Sequence, residues 1–328
     1  MDNGKFIISL DFELMWGVRD HKSINDYGEN ILGVYQIMPK LLDIFQKYSV
    51  KSTFAIVGFL YFNNKSELVK NISKSIPNYF NTLINPYSNY FDNIENDGKQ
   101  NAYHFAPSLI ELIRNHSEHE IGTHTFSHYY CLEKGQTLDN FKSDLEMAIS
   151  VSKRSEIEIT SLVFPRNQFN AEYLETCKEL GIICVRGNEN SWIYNANLSK
   201  IFKKFQRPLK LIDAYINLTG HNTYSDKILK RNNPIIIPSS RFLRPYSKKS
   251  RLLEKLRLQR IRNAMTFAAK NNQTFCLWWH PHNFGINQNE NILFLEDILI
   301  HYNKLNFKYN FQSYTMSGLA KELLHGKT

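Results

Sequence analysis

"KFIISLDFELMWG", residues 5–17, is a near-continuous apolar run that stops on two carboxylates, Asp11 and Glu13. A strand with one wet face would alternate apolar and polar residues. A strand apolar throughout is covered on both sides, as in a parallel sheet with helical crossovers. The segments that follow repeat the pattern. "ILGVYQIMPKLLDIFQKYSV" (31–50) places Ile37, Leu41, Leu42 and Phe45 at helical spacing, and "KSTFAIVGF" (51–59) returns to strand. Further strands read at "HEIGTHT" (119–125), "ITSLVFP" (159–165), "IICVRG" (182–187) and "TFCLWWHPH" (274–282). Helical patterns stand between them at 107–116, 138–154 and 170–181, then at about 289–306 and 313–324.

Strand–helix alternation over the whole chain predicts a parallel α/β fold. The unit count, about seven, favours a closed or nearly closed barrel. The chain 1–328 reads as a single catalytic domain with two insertions. One, at about 62–103, is rich in Asn, Ser and Tyr; the other, at about 195–262, is basic.

Composition bounds the possibilities. The 328 residues are 42% hydrophobic and 13% aromatic, enough for a large core and far from a disordered chain. No basic leader with an apolar core precedes residue 5, and the longest apolar run, 54–62, is far short of a membrane span of ~20 residues. Four cysteines without CxxC pairing suggest reduced thiols and a cytoplasmic protein. The chain carries +9 overall, yet 201–262 alone holds 16 Lys or Arg against 3 Asp or Glu. That basic stretch, with Leu253, Leu256, Ile261 and Met265 near helical spacing, predicts contact with an anionic membrane surface through 241–262, at the inner face, or with a phosphate-bearing substrate. No recognition motif points to nucleic acid.

The polar residues collect where strands end, the place where a parallel barrel gathers its chemistry. Asp11 and Glu13, two apart, share a strand face, and two adjacent carboxylates are costly without a cation. "HEIGTHTFSH" (119–128) offers His124 and His128, four apart. On one helical turn that spacing lets two imidazoles meet one metal. A carboxylate from another strand completes a two-histidine, one-carboxylate site. "LVFPRNQ" (162–168) supplies Arg166 and Asn167, and "CLWWHPHNFG" (276–285) supplies His280 and His282.

These residues resemble the NodB-homology polysaccharide deacetylases, carbohydrate esterase family four. Its His-Ser/Thr-x-x-His motif is matched by His124, Thr125 and His128, and its acid pair by Asp11-Phe12-Glu13, similar to the Asp-x-Glu branch. "FPRNQ" stands at the place of the Arg-x-Pro motif, His280 at that of the late-strand histidine with His282 its rival, and Glu189 with Trp192 in "NENSW" at that of the acid–tryptophan motif. "SRFLRPY" and "WWHPHNFG" look like a subgroup associated with surface-polysaccharide biosynthesis. The resemblance implies a distorted (β/α) barrel and a divalent metal, zinc first with cobalt, nickel, iron or manganese as alternatives, on Glu13, His124 and His128. It implies Asp11 as base, Arg166 paired to it, His280 as acid, and a backbone N–H after the His motif facing the oxyanion. Candidate substrate contacts are Trp16, Trp192, Trp279, His282 and Asn167. The expected reaction is hydrolysis of an N-acyl group on an amino sugar, free or linked to a nucleotide or lipid phosphate. The alternatives are a barrel that binds a glycan or anionic surface without catalysis, and a deformylase or amide hydrolase on a non-polymer substrate.

Overall fold

The computed structural model describes residues 3–95, 98, 100–194 and 200–325. Among the described residues nine strands form one sheet: β1 (Lys5–Phe12), β2 (Thr53–Ile56), β3 (Glu120–Thr123), β4 (Ser161–Val163), β5 (Cys184–Gly187), β6 (Ile235–Pro238), β7 (Arg241–Phe242), β8 (Thr274–Trp279) and β9 (Gln312–Tyr314). Their order is β6-β5-β4-β3-β2-β1-β8-β7, with β9 beside β1, and the strand pairs are parallel. All eight residues of β1 are buried. Along one edge β1 pairs with β8 from Lys5 to Leu10; along the other it meets β9 at Lys5–Ile7 and β2 at Ser9–Phe12. A strand so enclosed has no wet face, which is why its sequence does not alternate.

The two ends of the sheet are consecutive pieces of one extended chain. β6 runs along β5, the Ser239 amide donates to the Gly187 carbonyl, the Ser240 amide donates to Cys276, and β7 continues along β8. One strand therefore changes partner at Ser239–Ser240 and closes a barrel of seven staves: β1 to β5, the β6–β7 strand, and β8. This corrects the reading of 195–262 as an insertion, because that stretch supplies a stave. Its strand-forming run, Ile235–Ile237, lies between two prolines and is too short to carry a period. Residues 195–199 of that stretch lie outside the described residues. In the other expected insertion, Leu68, Phe91 and Ile94 pack into the main core rather than standing apart from it.

Strand alternation divides the apolar residues in two. Ile7, Ala55, Val163, Cys184, Ile235, Ile237 and Cys276 fill the barrel, whose lower mouth is plugged by Met316, Leu319, Ala320 and Leu323 of the helix Met316–His325. Phe6, Ile8, Leu10 and Phe12 point outward into the helices, including Ile37, Leu41 and Phe45 of Val34–Lys47. With the lower half dry and plugged, the upper interior is left for polar side chains. All four cysteines are buried and free.

Candidate active site and metal centre

A pocket of about 190 Å³ opens at the C-terminal end of the strands, lined by Asp11, Glu13, Gly17, His124, His128, Arg166, Asn167, Arg186, Trp278 and His280. Period-two alternation puts Ile7, Ser9 and Asp11 of β1 inside, and Glu13 follows in the turn Leu14–Gly17 begins. A Cβ at Gly17 would lie 1.9 Å from the Glu13 carboxylate, so the glycine leaves that carboxylate room in its present place.

The two motif histidines do not sit on a helical turn. His124 ends β3, and residues 124–128 form a loop in which Thr125 (φ 65°) and His128 (φ 58°) are left-handed. Left-handed backbone is costly for a β-branched residue and persists only where surroundings impose it. Here the Gly58 and Phe59 amides donate to the Thr125 and Phe126 carbonyls. From the helix Leu138–Arg154, Asp144 accepts from the Phe126 amide at 2.7 Å and the Ser127 amide at 3.1 Å. Burial pushes the Asp144 carboxyl up to about 7 in spite of those bonds.

Both imidazoles converge on one oxygen of Glu13. His124 Nε2 is 3.3 Å and His128 Nε2 3.1 Å from Oε2, and all three side chains are buried. His124 Nδ1 lies 2.7 Å from the Val163 carbonyl, which holds a proton on Nδ1 and turns the Nε2 lone pair toward the carboxylate. A lone pair aimed at a carboxylate in a sealed site lacks a proton or cation between them. Donors bonded to one tetrahedral ion at ~2.1 Å stand roughly 3.4 Å apart, so the trio Glu13, His124, His128 fits a divalent metal. Burial pushes His128 down to about 4, keeping it neutral and able to ligate. Burial also pushes Glu13 up, but the surrounding imidazoles, His280 first and then His124 and His128, outweigh it and hold that carboxyl well below its usual range.

Asp11 is gripped by Arg186, not by Arg166 as expected. Arg186 Nη1 and Nη2 each donate to one oxygen of Asp11 at 2.6 Å; Nη1 also reaches Ser9 Oγ at 3.0 Å, and Nη2 donates to Asn167 Oδ1 at 3.2 Å. The guanidinium lies 4.3 Å from the Trp278 ring centroid. Burial raises the Asp11 carboxyl, yet the Arg186 guanidinium leads the neighbouring groups that prevail and keep it below the usual value. Arg166 instead crosses the pocket rim, bonded to Asp20 at 2.5 Å and Glu133 at 3.3 Å, over the Tyr130 ring. His280 Nε2 stands 3.6 Å from Asp11 and 3.5 Å from Glu13.

Several expected contacts lie elsewhere. Trp16 is buried, its indole N–H donating to the His104 carbonyl at 2.6 Å and its ring packed on Phe59 and Phe91. Trp279 points outward and stacks on Phe284. Cys276, Trp278 and His280 share the inner face of β8, so the tryptophan at the site is Trp278. Trp192 is 49% exposed, away from the pocket lining. His282 is buried and faces Glu13, not the pocket mouth. Glu189, also buried, has its carboxyl raised by burial. The two amides after His128 are already committed, Tyr129 to Thr125 Oγ1 and Tyr130 to the Tyr79 hydroxyl. Arg186, which sequence reasoning passed over, carried one signal: a lone cation closing an otherwise apolar strand.

The family model for polysaccharide deacetylases matches residues 26–185. No curated protein matches the sequence significantly. Among solved structures, a Mycobacterium smegmatis protein described as a polysaccharide deacetylase is 12% identical at a TM-score of 0.60, covering 99% of this chain and 92% of its own. The Puue allantoinase is 10% identical with a TM-score of 0.54, covering 100% and 93%. A 4-alpha-glucanotransferase from Thermococcus litoralis gives 12% and 0.52, with 100% of this chain matched to 41% of that one. At these identities the likeness is one of fold.

Proposed function

We propose that the chain, whose residues 26–185 match the polysaccharide deacetylase family model, hydrolyses the N-acyl group, an acetyl in the simplest case, of an amino sugar in a polysaccharide or lipopolysaccharide intermediate. The carrying observation is the meeting, in one pocket of about 190 Å³, of a metal-ligand trio, an arginine-clamped carboxylate and a histidine. Glu13, His124 and His128 hold a divalent cation, zinc by preference for this donor set. When bound, the cation supplies Lewis acidity that lowers the pKa of water and polarises the acyl carbonyl.

The chain's own residues handle the protons. Asp11 keeps lone pairs free on both oxygens while Arg186 fixes their direction, so it accepts the proton of the attacking water. The hydroxyl joins the acyl carbon and the C–N bond breaks. His280, whose Nδ1 lies 3.3 Å from Asn283 Oδ1, presents Nε2 to the pocket and, in its doubly protonated form, delivers the Nε2 proton to the departing amine. Trp278 walls the acyl group, and Asn167 with Arg166 borders the mouth, where the sugar enters.

The membrane reading narrows. Arg241 pairs with buried Asp213, Arg257 with Glu254, and Arg260 donates to the Gly220 carbonyl, so these cations lie inside. What remains outside is Lys248, Lys249, Arg251 and Lys255 beside Leu252 (93% exposed), Leu253 and Leu256. Cations around protruding leucines suit peripheral contact with an anionic leaflet at the inner membrane face. No helix among the described residues is long and apolar enough to cross a membrane.

Acetate release from free, nucleotide-linked and lipid-linked N-acetyl amino sugars tests the function, alongside elemental analysis of the purified protein. One equivalent of metal with acetate release from one carrier class is expected. No release from any acylated sugar at full metal occupancy removes the hydrolase reading.

A further inference from the structure

Only one oxygen of Glu13 is taken up by His124 and His128. Around the other, Oε1, stand His280 Nε2 at 3.5 Å and His282 Nε2 at 3.9 Å. The donor atoms of Glu13, His280 and His282 all lie within 4.8 Å of one another, as do those of Glu13, His124 and His128, and the two trios share Glu13 alone. Four imidazoles thus surround one carboxylate, two on each oxygen. A structural filler explains this poorly, because a buried histidine ring without partners is more cheaply replaced by an apolar side chain.

The second pair is held as firmly as the first. His282 is 3% exposed, and its ring stacks on His280 with centroids 5.0 Å apart and planes 8° from parallel. Tyr27 meets its edge at 5.5 Å, and Asn30 Nδ2 donates to its carbonyl at 3.3 Å. Gly285 lies so close to the Asn30 carbonyl that a Cβ would come within 1.9 Å, which pins the loop to the helix Ile24–Leu32. Asn283 Oδ1 beside His280 Nδ1 places the proton there and leaves the Nε2 lone pair toward Glu13. Two imidazole nitrogens and a carboxylate oxygen within 4.8 Å of one another can meet one ion with bonds of ~2.1 Å once the stacked rings turn out of parallel.

We propose that Glu13, His280 and His282 form a second divalent-cation site, bridged by Glu13, whose occupancy silences the hydrolase by taking His280 from the leaving amine. The inference rests on the reading that Glu13, His124 and His128 hold the catalytic cation. The second ion binds more weakly than the first, for two reasons. It shares the single ligating carboxylate, and bridged pairs stand ~3.5–4 Å apart, where two dications repel. Limiting metal therefore fills one site and excess metal fills both. Imidazole donors select zinc, cobalt or nickel over magnesium or calcium.

Full-length protein stripped by chelator is titrated with zinc, and with cobalt as a spectroscopic probe, bound metal being counted by equilibrium dialysis. The wild type takes one equivalent with rising acetate release, then a weaker second equivalent with activity falling by roughly 10²-fold, the share a positioned acid supplies. His282→Ala, or His282→Asn if the buried loop loosens, binds one equivalent and loses the inhibition by excess zinc. His128→Ala loses the tight equivalent and keeps the weak one. A wild type that saturates at one cation in excess zinc overturns the second site and leaves the first standing. A His282 variant that still binds two also overturns it. A chain that binds none overturns both.

Discussion

Replacing Arg186 by Met leaves Asp11 buried with its charge unanswered. The pair is bidentate, at 2.6 Å on both oxygens, and its side chains are 1% and 4% exposed, so solvent screens it little. Deleting one partner of such a pair costs about 3–5 kcal/mol, against a stability of ~5–15 kcal/mol for a typical domain. The sign of the pH effect follows from the carboxyl. Burial pushes Asp11 up and Arg186 leads the charges that bring it below 3.8. A carboxyl depressed in the fold contributes stability above its unfolded value and loses it as pH falls through the folded one. Without Arg186 the carboxyl moves upward, that contribution shrinks, and the acid limb of kcat/KM moves to higher pH. Urea unfolding at pH 7 of wild type, Arg186→Met, Asp11→Asn and the double variant measures the coupling. The double variant should recover part of the loss, because the unpaired charge is gone. If Arg186→Met unfolds within about 1 kcal/mol of wild type and the cycle shows no coupling, the clamp is not what holds Asp11.

Asp11→Asn should retain metal and lose roughly 10²–10⁴ in rate; metal lost there but kept in Glu13→Gln would mean the two acids exchange roles. Asp144→Ala strands the Phe126 and Ser127 amides at about 1–3 kcal/mol each, so Tm and metal affinity should fall together, and an unchanged metal affinity would separate Asp144 from the placement of His128. Because burial raises Asp144 to about 7, its contribution to stability is full below about 4 and is lost as pH rises through 7; unfolding measured across that range should be flatter in Asp144→Ala. Reversing Lys248, Lys249 and Arg251 to Glu should abolish sedimentation with anionic vesicles while leaving acetate release from a free sugar intact, and salt-insensitive binding by the wild type would refute the contact.

Much of this molecule is written in local pattern. The enclosed run 5–12, the alternation of strand and helix, and the placement of Asp11, Glu13, His124, His128 and His280 at strand ends are all legible, because period and polarity are properties of neighbours along the chain. The facing of a residue is not. "WW" at 278–279 reads as two equivalent rings, and only the register of β8 against β1 sends Trp278 to the pocket and Trp279 to the core. His124 and His128 meet on Glu13 through a left-handed loop tied down by Asp144 from a helix beyond them, although their spacing suggested a helical turn. Arg186 and Arg166 both end strands, yet the barrel's closure points one inward at Asp11 and leaves the other on the rim with Asp20. The basic stretch shows the same division. Composition sees sixteen cations between 201 and 262, while packing buries Arg241, Arg257 and Arg260 and exposes those near Leu252. Which residues carry chemistry is a matter of side-chain type, fixed locally; which of them meet depends on contacts between residues distant in sequence, and these exist only once the barrel closes.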